Sequence, residues 1–141
     1  MKAIRHVGIV VNNLEKELDF YKNVFNFKIK RKMLETGEYI DNLSGLKNVK
    51  VKTIKMASDD GNLIELLYFE SHQRNIVNRN INDIGYSHIA FTVENLDSEY
   101  KKLRKKGIKF NCVPQISSDG KAKVVFCRDP EGNIIELVEE L

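Results

Sequence analysis

The stretch Asp60-Gly61-Asn62-Leu63-Ile64-Glu65-Leu66 returns, almost word for word, as Glu131-Gly132-Asn133-Ile134-Ile135-Glu136-Leu137. A second echo lies upstream of each: His6-Val7-Gly8-Ile9-Val10-Val11-Asn12-Asn13-Leu14-Glu15 matches His88-Ile89-Ala90-Phe91-Thr92-Val93-Glu94-Asn95-Leu96-Asp97 without gaps, 82 residues further on. Self-similarity on this scale means that one unit has been used twice, which constrains the fold more than any local propensity. In both copies an acid-Gly-Asn turn suits a tight reversal with φ > 0 and launches an apolar run with a carboxylate in its middle. An isolated buried carboxylate costs on the order of several kcal/mol or gives up its charge, so two at equivalent places ask for a shared cationic partner.

Between these anchors each copy reads as βαβββ. Ile4 to Val11 is β-rich and apolar at nearly every position, which predicts a strand covered on both sides, with His6 inside it. Asn12-Asn13 stops that strand and caps a helix from about Leu14 to Phe25. Leu14, Leu18, Tyr21 and Phe25 recur there at helical spacing, and Glu15, Glu17, Asp19 and Lys22 fill the wet face. Strands are predicted over Phe27 to Leu34, from Val49 onward, and over Leu63 to Phe69. The second copy offers a helix over Leu96 to Lys106 that stops at Gly107, then strands over Ile108 to Gln115, Lys121 to Cys127 and Asn133 to Glu139. The two glutamates are 71 residues apart, so the first copy is 11 residues longer, and the surplus falls between Leu34 and Val49. The expected organisation is a first module over residues 1–70, a polar connector over 71–84 and a second module over 85–141. Together they form one α+β structural domain made by duplication.

Composition narrows the class. With 42% hydrophobic and 30% charged residues among 141, the chain has the balance of a soluble globular protein large enough to bury a core without staples. No apolar run approaches the ~20 residues of a membrane span, and the start of the chain turns polar too soon for a signal peptide, so membrane partners are excluded and a cytoplasmic protein is expected. A net charge of +3, well interleaved, is too mild for a nucleic-acid footprint, and the basic run Lys101 to Lys106 reads as a solvated helix face. Cys112 and Cys127 lack a Cys-x-x-Cys spacing and read as reduced thiols, the second as a small buried hydrophobe.

Four residues stand out from the apolar runs: His6, Glu65, His88 and Glu136. If the two units pack about a pseudo-twofold axis, two imidazoles and two carboxylates can converge on one divalent first-row ion, Zn²⁺, Ni²⁺, Co²⁺, Mn²⁺ or Fe²⁺, leaving places open for substrate or water. Singly, such a His or Glu is an ordinary core or half-exposed residue; four at equivalent places are not. The chain resembles the vicinal oxygen chelate superfamily, which includes glyoxalase I, methylmalonyl-CoA epimerase, extradiol dioxygenases, fosfomycin-resistance enzymes and bleomycin-binding proteins. The likeness runs through His6-x-Gly8-Ile9-x-Val11, Asp19-Phe20-Tyr21, His88-Ile89-Ala90-Phe91 and Arg128-Asp129-Pro130-Glu131-Gly132-Asn133-Ile134-Ile135-Glu136-Leu137. It implies paired βαβββ modules in a glyoxalase-type curved mixed sheet around a metal held by His6, Glu65, His88 and Glu136.

The resemblance also implies a reaction. An ion that stabilises a developing enediolate acidifies the neighbouring C–H, and a carboxylate released from it can move the proton. Glu136 is the first candidate for that base and Glu65 the second. The expected function is a metal-dependent lyase or isomerase of glyoxalase type, acting on a small oxygen-rich carbonyl compound, in a homodimer. Fosfomycin-type thiol transfer, an extradiol dioxygenase-like activity, and metal-free binding of a drug or metabolite in the bleomycin-resistance manner are the alternatives. Retention of all four ligands speaks against the last. Bacterial glyoxalase I enzymes carry an Arg four residues after the first ligand His and an Asn four after the first ligand Glu, both serving glutathione. Val10 and Phe69 occupy those positions here and point away from glutathione. Glu65, where methylmalonyl-CoA epimerases usually have Gln, and Leu46-Lys47-Asn48 likewise point away from that substrate.

Overall fold

The computed structural model describes residues 2–141 and divides into two compact units at Ile76/Val77. The first unit runs β1 (Val7–Val10), α1 (Leu14–Asp19), β2 (Lys28–Thr36), α2 (Glu38–Ser44), β3 (Lys50–Ala57) and β4 (Leu63–Phe69). Its sheet has the order β1-β4-β3-β2, with β1 parallel to β4 and the other pairs antiparallel. The second unit runs β5 (His88–Thr92), α3 (Leu96–Lys105), β6 (Gln115–Ile116), β7 (Ala122–Arg128) and β8 (Ile134–Glu140). Its order, β5-β8-β7-β6, repeats the first with the same single parallel pair. Two tandem βαβββ units with mixed sheets are therefore the architecture. No helix among the described residues is long and apolar enough to cross a membrane.

The repeat is executed locally by caps and turns. Asn13 and Asn95 each accept a hydrogen bond from the backbone N–H three residues on, at 3.0 and 2.8 Å, which opens α1 and α3 in the same way. Gly61 and Gly132 adopt φ of 88° and 92°, where a side chain would be strained, and this is what the acid-Gly-Asn turns require. The acid that ties each turn differs between units. Asp60 holds Asn62 in the first, and hydrogen bonds from Ser58 and Asn62 keep its carboxyl below the usual carboxylate range. In the second, Asp129 rather than Glu131 accepts from Asn133, through the backbone at 2.8 Å and the side-chain amide at 2.7 Å.

Alternation along β4 and β8 separates two faces. Ile64 and Leu66 stand opposite Met56 and Ile54 and are buried. Ile135 and Leu137 stand opposite Cys127 and Val125 and are buried likewise. Helix α1 lies against β4 and α3 against β8, with Leu96 and Leu103 fully buried. Phe20, Tyr21 and Phe27 extend the first core in edge-to-face contacts, with ring centroids 5.2 Å apart for Phe20–Tyr21 and 6.0 Å for Tyr21–Phe27. The opposite face of the first sheet holds Val51, Leu67 and Phe69, packed with Val49 and with Ile40 of α2. The 11 surplus residues thus form, in the main, a helix on the same face as Glu65.

Several local expectations are corrected. Strand β1 starts only at Val7 and is largely exposed, because it has one neighbour in its sheet, β4. The first helix continues as a wider π turn over Phe20–Val24, where the Phe25 N–H donates to Phe20 O five residues back at 3.1 Å. Phe20 is buried beside Tyr21, and Glu17, expected on the wet face, is fully buried. The strand expected over residues 108–115 shrinks to a Phe110–Cys127 bridge and the two-residue β6, since Pro114 cannot donate to a ladder.

Cys112 is exposed and Cys127 buried. Burial, assisted by the nearby Asp129 carboxylate, pushes the Cys127 thiol up to about 12. Only Cys112 is open to solvent, so an aromatic disulfide reagent at about pH 8 should titrate one thiol in the native protein and both after denaturation. Two fast-reacting thiols in the native state would contradict this burial.

Candidate functional site

Register, not sequence distance, brings each His to its Glu. Gly8 is paired with Glu65 across β1–β4, and Ala90 with Glu136 across β5–β8. His6 and His88 each lie two residues earlier, and period-two alternation places them on the same face as the glutamate. The contacts are nearly identical. His6 Nε2 is 3.2 Å from Glu65 Oε2, and His88 Nε2 is 3.1 Å from Glu136 Oε2. His6 and His88 retain 30% and 33% side-chain exposure, so both pairs are open to a ligand. Each unit therefore brings together its own imidazole and carboxylate. Neither pair gathers a third His, Cys, Asp or Glu into a group that could hold a metal, among the described residues.

The proton bookkeeping of the second pair is informative. Ser87 Oγ donates to the Ile81 carbonyl at 2.9 Å, so at 3.2 Å it accepts from His88 Nδ1–H. That assigns the neutral ring its proton on Nδ1 and leaves Nε2 with a lone pair aimed at the carboxylate. Two lone pairs do not face each other at this distance without a cation between them, either a proton or a metal ion. In the first unit His6 Nδ1 is buried with no hydrogen-bond partner among the described residues, while Nε2 again faces a carboxylate oxygen. Mixed imidazole and carboxylate donors of this kind suit a divalent ion of borderline hardness, and His88 already has the outer hydrogen bond that orients metal-binding imidazoles.

Sequence reasoning missed three neighbours. Ser87 was hidden because a serine before a strand carries no signal of its own. Lys55 stands directly across from Glu65, its Nζ 3.5 Å from Oε1. Thr53, two residues back on the same strand face, is 2% exposed. Placing the repeats in register would have exposed the last two, because the positions that match them beside Glu136 are Phe126 and Val124. The Phe126 ring packs edge-on against His88, centroids 5.2 Å apart. Of the positions read against glutathione, Val10 is exposed on β1 and Phe69 packs on the α2 cluster. His72 lies beside Ser71, outside both pairs.

Comparison with known proteins agrees with this fold. Residues 3–137 match the family model described as Glyoxalase/Bleomycin resistance protein/Dioxygenase superfamily. A lactoylglutathione lyase of Schizosaccharomyces pombe is 31% identical over 97% of this chain, which spans 47% of that protein's length. A mitochondrial methylmalonyl-CoA epimerase of Dictyostelium discoideum is 26% identical over 97% of the chain and 78% of its own length. The crystal structure of a glyoxalase family protein from Bacillus cereus superposes with a TM-score of 0.88 at 26% identity, covering 100% of this chain and 95% of that one.

Proposed function

The chain belongs to the glyoxalase/bleomycin resistance protein/dioxygenase superfamily, and from that premise we propose that it is a metal-dependent lyase or isomerase that transfers a proton at the carbon next to a chelated oxygen of a small carbonyl substrate. The observation that supports this reading is the approach of an imidazole Nε2 to a carboxylate oxygen at 3.1 Å in the second unit, repeated at 3.2 Å in the first. His6, Glu65, His88 and Glu136 would hold one divalent ion, within a chain or across a homodimer. Such an ion would supply Lewis acidity, polarising a substrate oxygen so that the adjacent C–H loses its proton more readily.

The rest falls to the chain's own residues. His6 and His88 would supply imidazole ligands to the ion, and Ser87 orients the His88 ring through its Nδ1. The two glutamates are not equivalent as bases. Glu65 already has an ammonium beside its second oxygen, whereas Glu136 has the Phe126 ring as its cross-strand neighbour. Glu136 is thus the carboxylate better suited to take the proton, holding it on one oxygen and returning it to the neighbouring carbon. Glu65 stays as ligand. The names of the relatives, a lactoylglutathione lyase and a methylmalonyl-CoA epimerase, fit enolising chemistry, while the apolar Val10 and Phe69 point away from glutathione.

Metal analysis of protein purified without chelators or a histidine tag tests the proposal. One divalent ion per set of four ligands is expected. Absence of any divalent binding in equilibrium dialysis, together with tight capture of an organic ligand, would instead support the drug- or metabolite-binding alternative.

A further inference from the structure

The duplication is strict at the four site residues and broken immediately beside one pair of them. Lys55 and Thr53 stand opposite Glu65 and Leu67, and their counterparts Phe126 and Val124 stand opposite Glu136 and Val138 in the same register. One unit therefore sets an ammonium and a hydroxyl where the other has a ring and an isopropyl group. The second unit shows that apolar residues suffice to build this part of the sheet. An ammonium next to a carboxylate that is to hold a cation also weakens that ligand, so Lys55 is a cost unless something else uses its charge.

Two further observations indicate that it is used. The Lys55–Glu65 contact of 3.5 Å is long for a charge-assisted hydrogen bond, whereas Lys50 reaches Glu70 on the same sheet at 2.8 Å. Lys55 is not committed to Glu65. Thr53 Oγ1 is buried with no hydrogen-bond partner among the described residues. An unmet buried hydroxyl is destabilising, and a hydrogen bond to a ligand oxygen relieves it.

We propose that Lys55 and Thr53 form an oxyanion-recognising corner beside Glu65, selecting substrates that carry a carboxylate or phosphate group beyond the oxygens that chelate the metal. This rests on the metal-dependent reading above and adds to it the charge class of the substrate. Lys55 Nζ reaches the anion from its place beside Glu65, so its charge stays next to that carboxylate. Thr53 donates a second hydrogen bond.

The test is calorimetric titration of cobalt-loaded protein with succinate monohydroxamate and with its neutral methyl ester. Both chelate through the hydroxamate, but only one presents a distal carboxylate. The wild type should prefer the anion by about tenfold or more, the scale of one charge-assisted contact. Lys55→Met should reduce the preference to less than about threefold while leaving the ester's affinity within about twofold. Lys55→Arg should restore part of the preference, and Lys55→Gln serves if the Met variant does not fold. Thr53→Val should lower it by about threefold. An ester that binds well with no preference in the wild type, or a preference unchanged in Lys55→Met and Lys55→Gln, overturns the corner alone. Failure of the protein to take up cobalt overturns the metal reading and the corner with it, and failure of both hydroxamates to bind the cobalt-loaded protein overturns the corner alone.

Discussion

Glu136→Gln is expected to keep the fold and the metal while cutting proton exchange by roughly 10²–10⁴, the usual contribution of a positioned general base. In barrier terms that is about 3–5 kcal/mol. Gln preserves the volume and one carbonyl oxygen, so it can still approach the ion, but it offers no basic oxygen. The measurement is loss of C–H signal by proton NMR in D₂O, run with metal-saturated protein against a panel of α-hydroxy ketones and 2-oxo acids, taking the member that the wild type exchanges fastest. Glu65→Gln is the internal control. With Lys55 Nζ 3.5 Å from its second oxygen, Glu65 is read as a ligand, and its loss should depress metal binding more than exchange at saturating metal. If Glu65→Gln abolished exchange and Glu136→Gln did not, the roles would be reversed. If neither changed it, carboxylate-mediated proton transfer would not be the chemistry of this chain.

The inequality between the two glutamates is also where the limits of sequence reading are clearest. The strand Leu63–Phe69 is legible to the residue, because an acid-Gly-Asn turn punctuates its start and a continuous apolar run fills it. So are the capping asparagines and the place of the 11-residue surplus, since each leaves a mark in the local pattern or in the spacing of the repeat. The pairing of His6 with Glu65 and of His88 with Glu136 follows once β1 and β5 are taken as parallel partners of β4 and β8. Neighbours supplied by an adjacent strand are a different matter. Lys55 stands across from Glu65 only because β3 and β4 share a particular antiparallel register, and one residue of slip would turn it to the other face. A lone Lys in an alternating strand has the same pattern whether it points to solvent or to a site. Glu17 shows the same blindness on a helix: its position among Glu15, Asp19 and Lys22 reads as wet, yet it lies one helical turn before Phe20 and Tyr21 and is buried on their face. The shortened β6 was legible in principle, because Pro114 was visible, but the loss of the whole run before it depended on its having just one bridge to β7.

The hydrogen bond from His88 to Ser87 gives the metal proposal its most demanding consequence. Removing a first ligand by His88→Ala should lower affinity for Zn²⁺ or Co²⁺ by at least about 100-fold, while Ser87→Ala, which leaves every ligand in place, should lower it by about 10–100-fold because the ring loses its fixed tautomer and orientation. A purely structural His88–Glu136 pair would respond differently, since Ser87→Ala would then change stability slightly and metal response not at all. Thermal unfolding separates the cases without any substrate. An ion present at about 100 times its dissociation constant adds about 2.7 kcal/mol to native stability, which for a chain of this size raises Tm by on the order of 10 °C. The wild type should show that rise, Ser87→Ala a smaller one at the same metal concentration, and His88→Ala almost none. His6→Ala should behave as His88→Ala does if the two halves serve one ion, because each imidazole then removes the same kind of donor from the same set. A rise in Tm that survives His88→Ala but vanishes in His6→Ala would mean that the first pair binds metal by itself, and the duplicated pairs would have to be assigned separate roles.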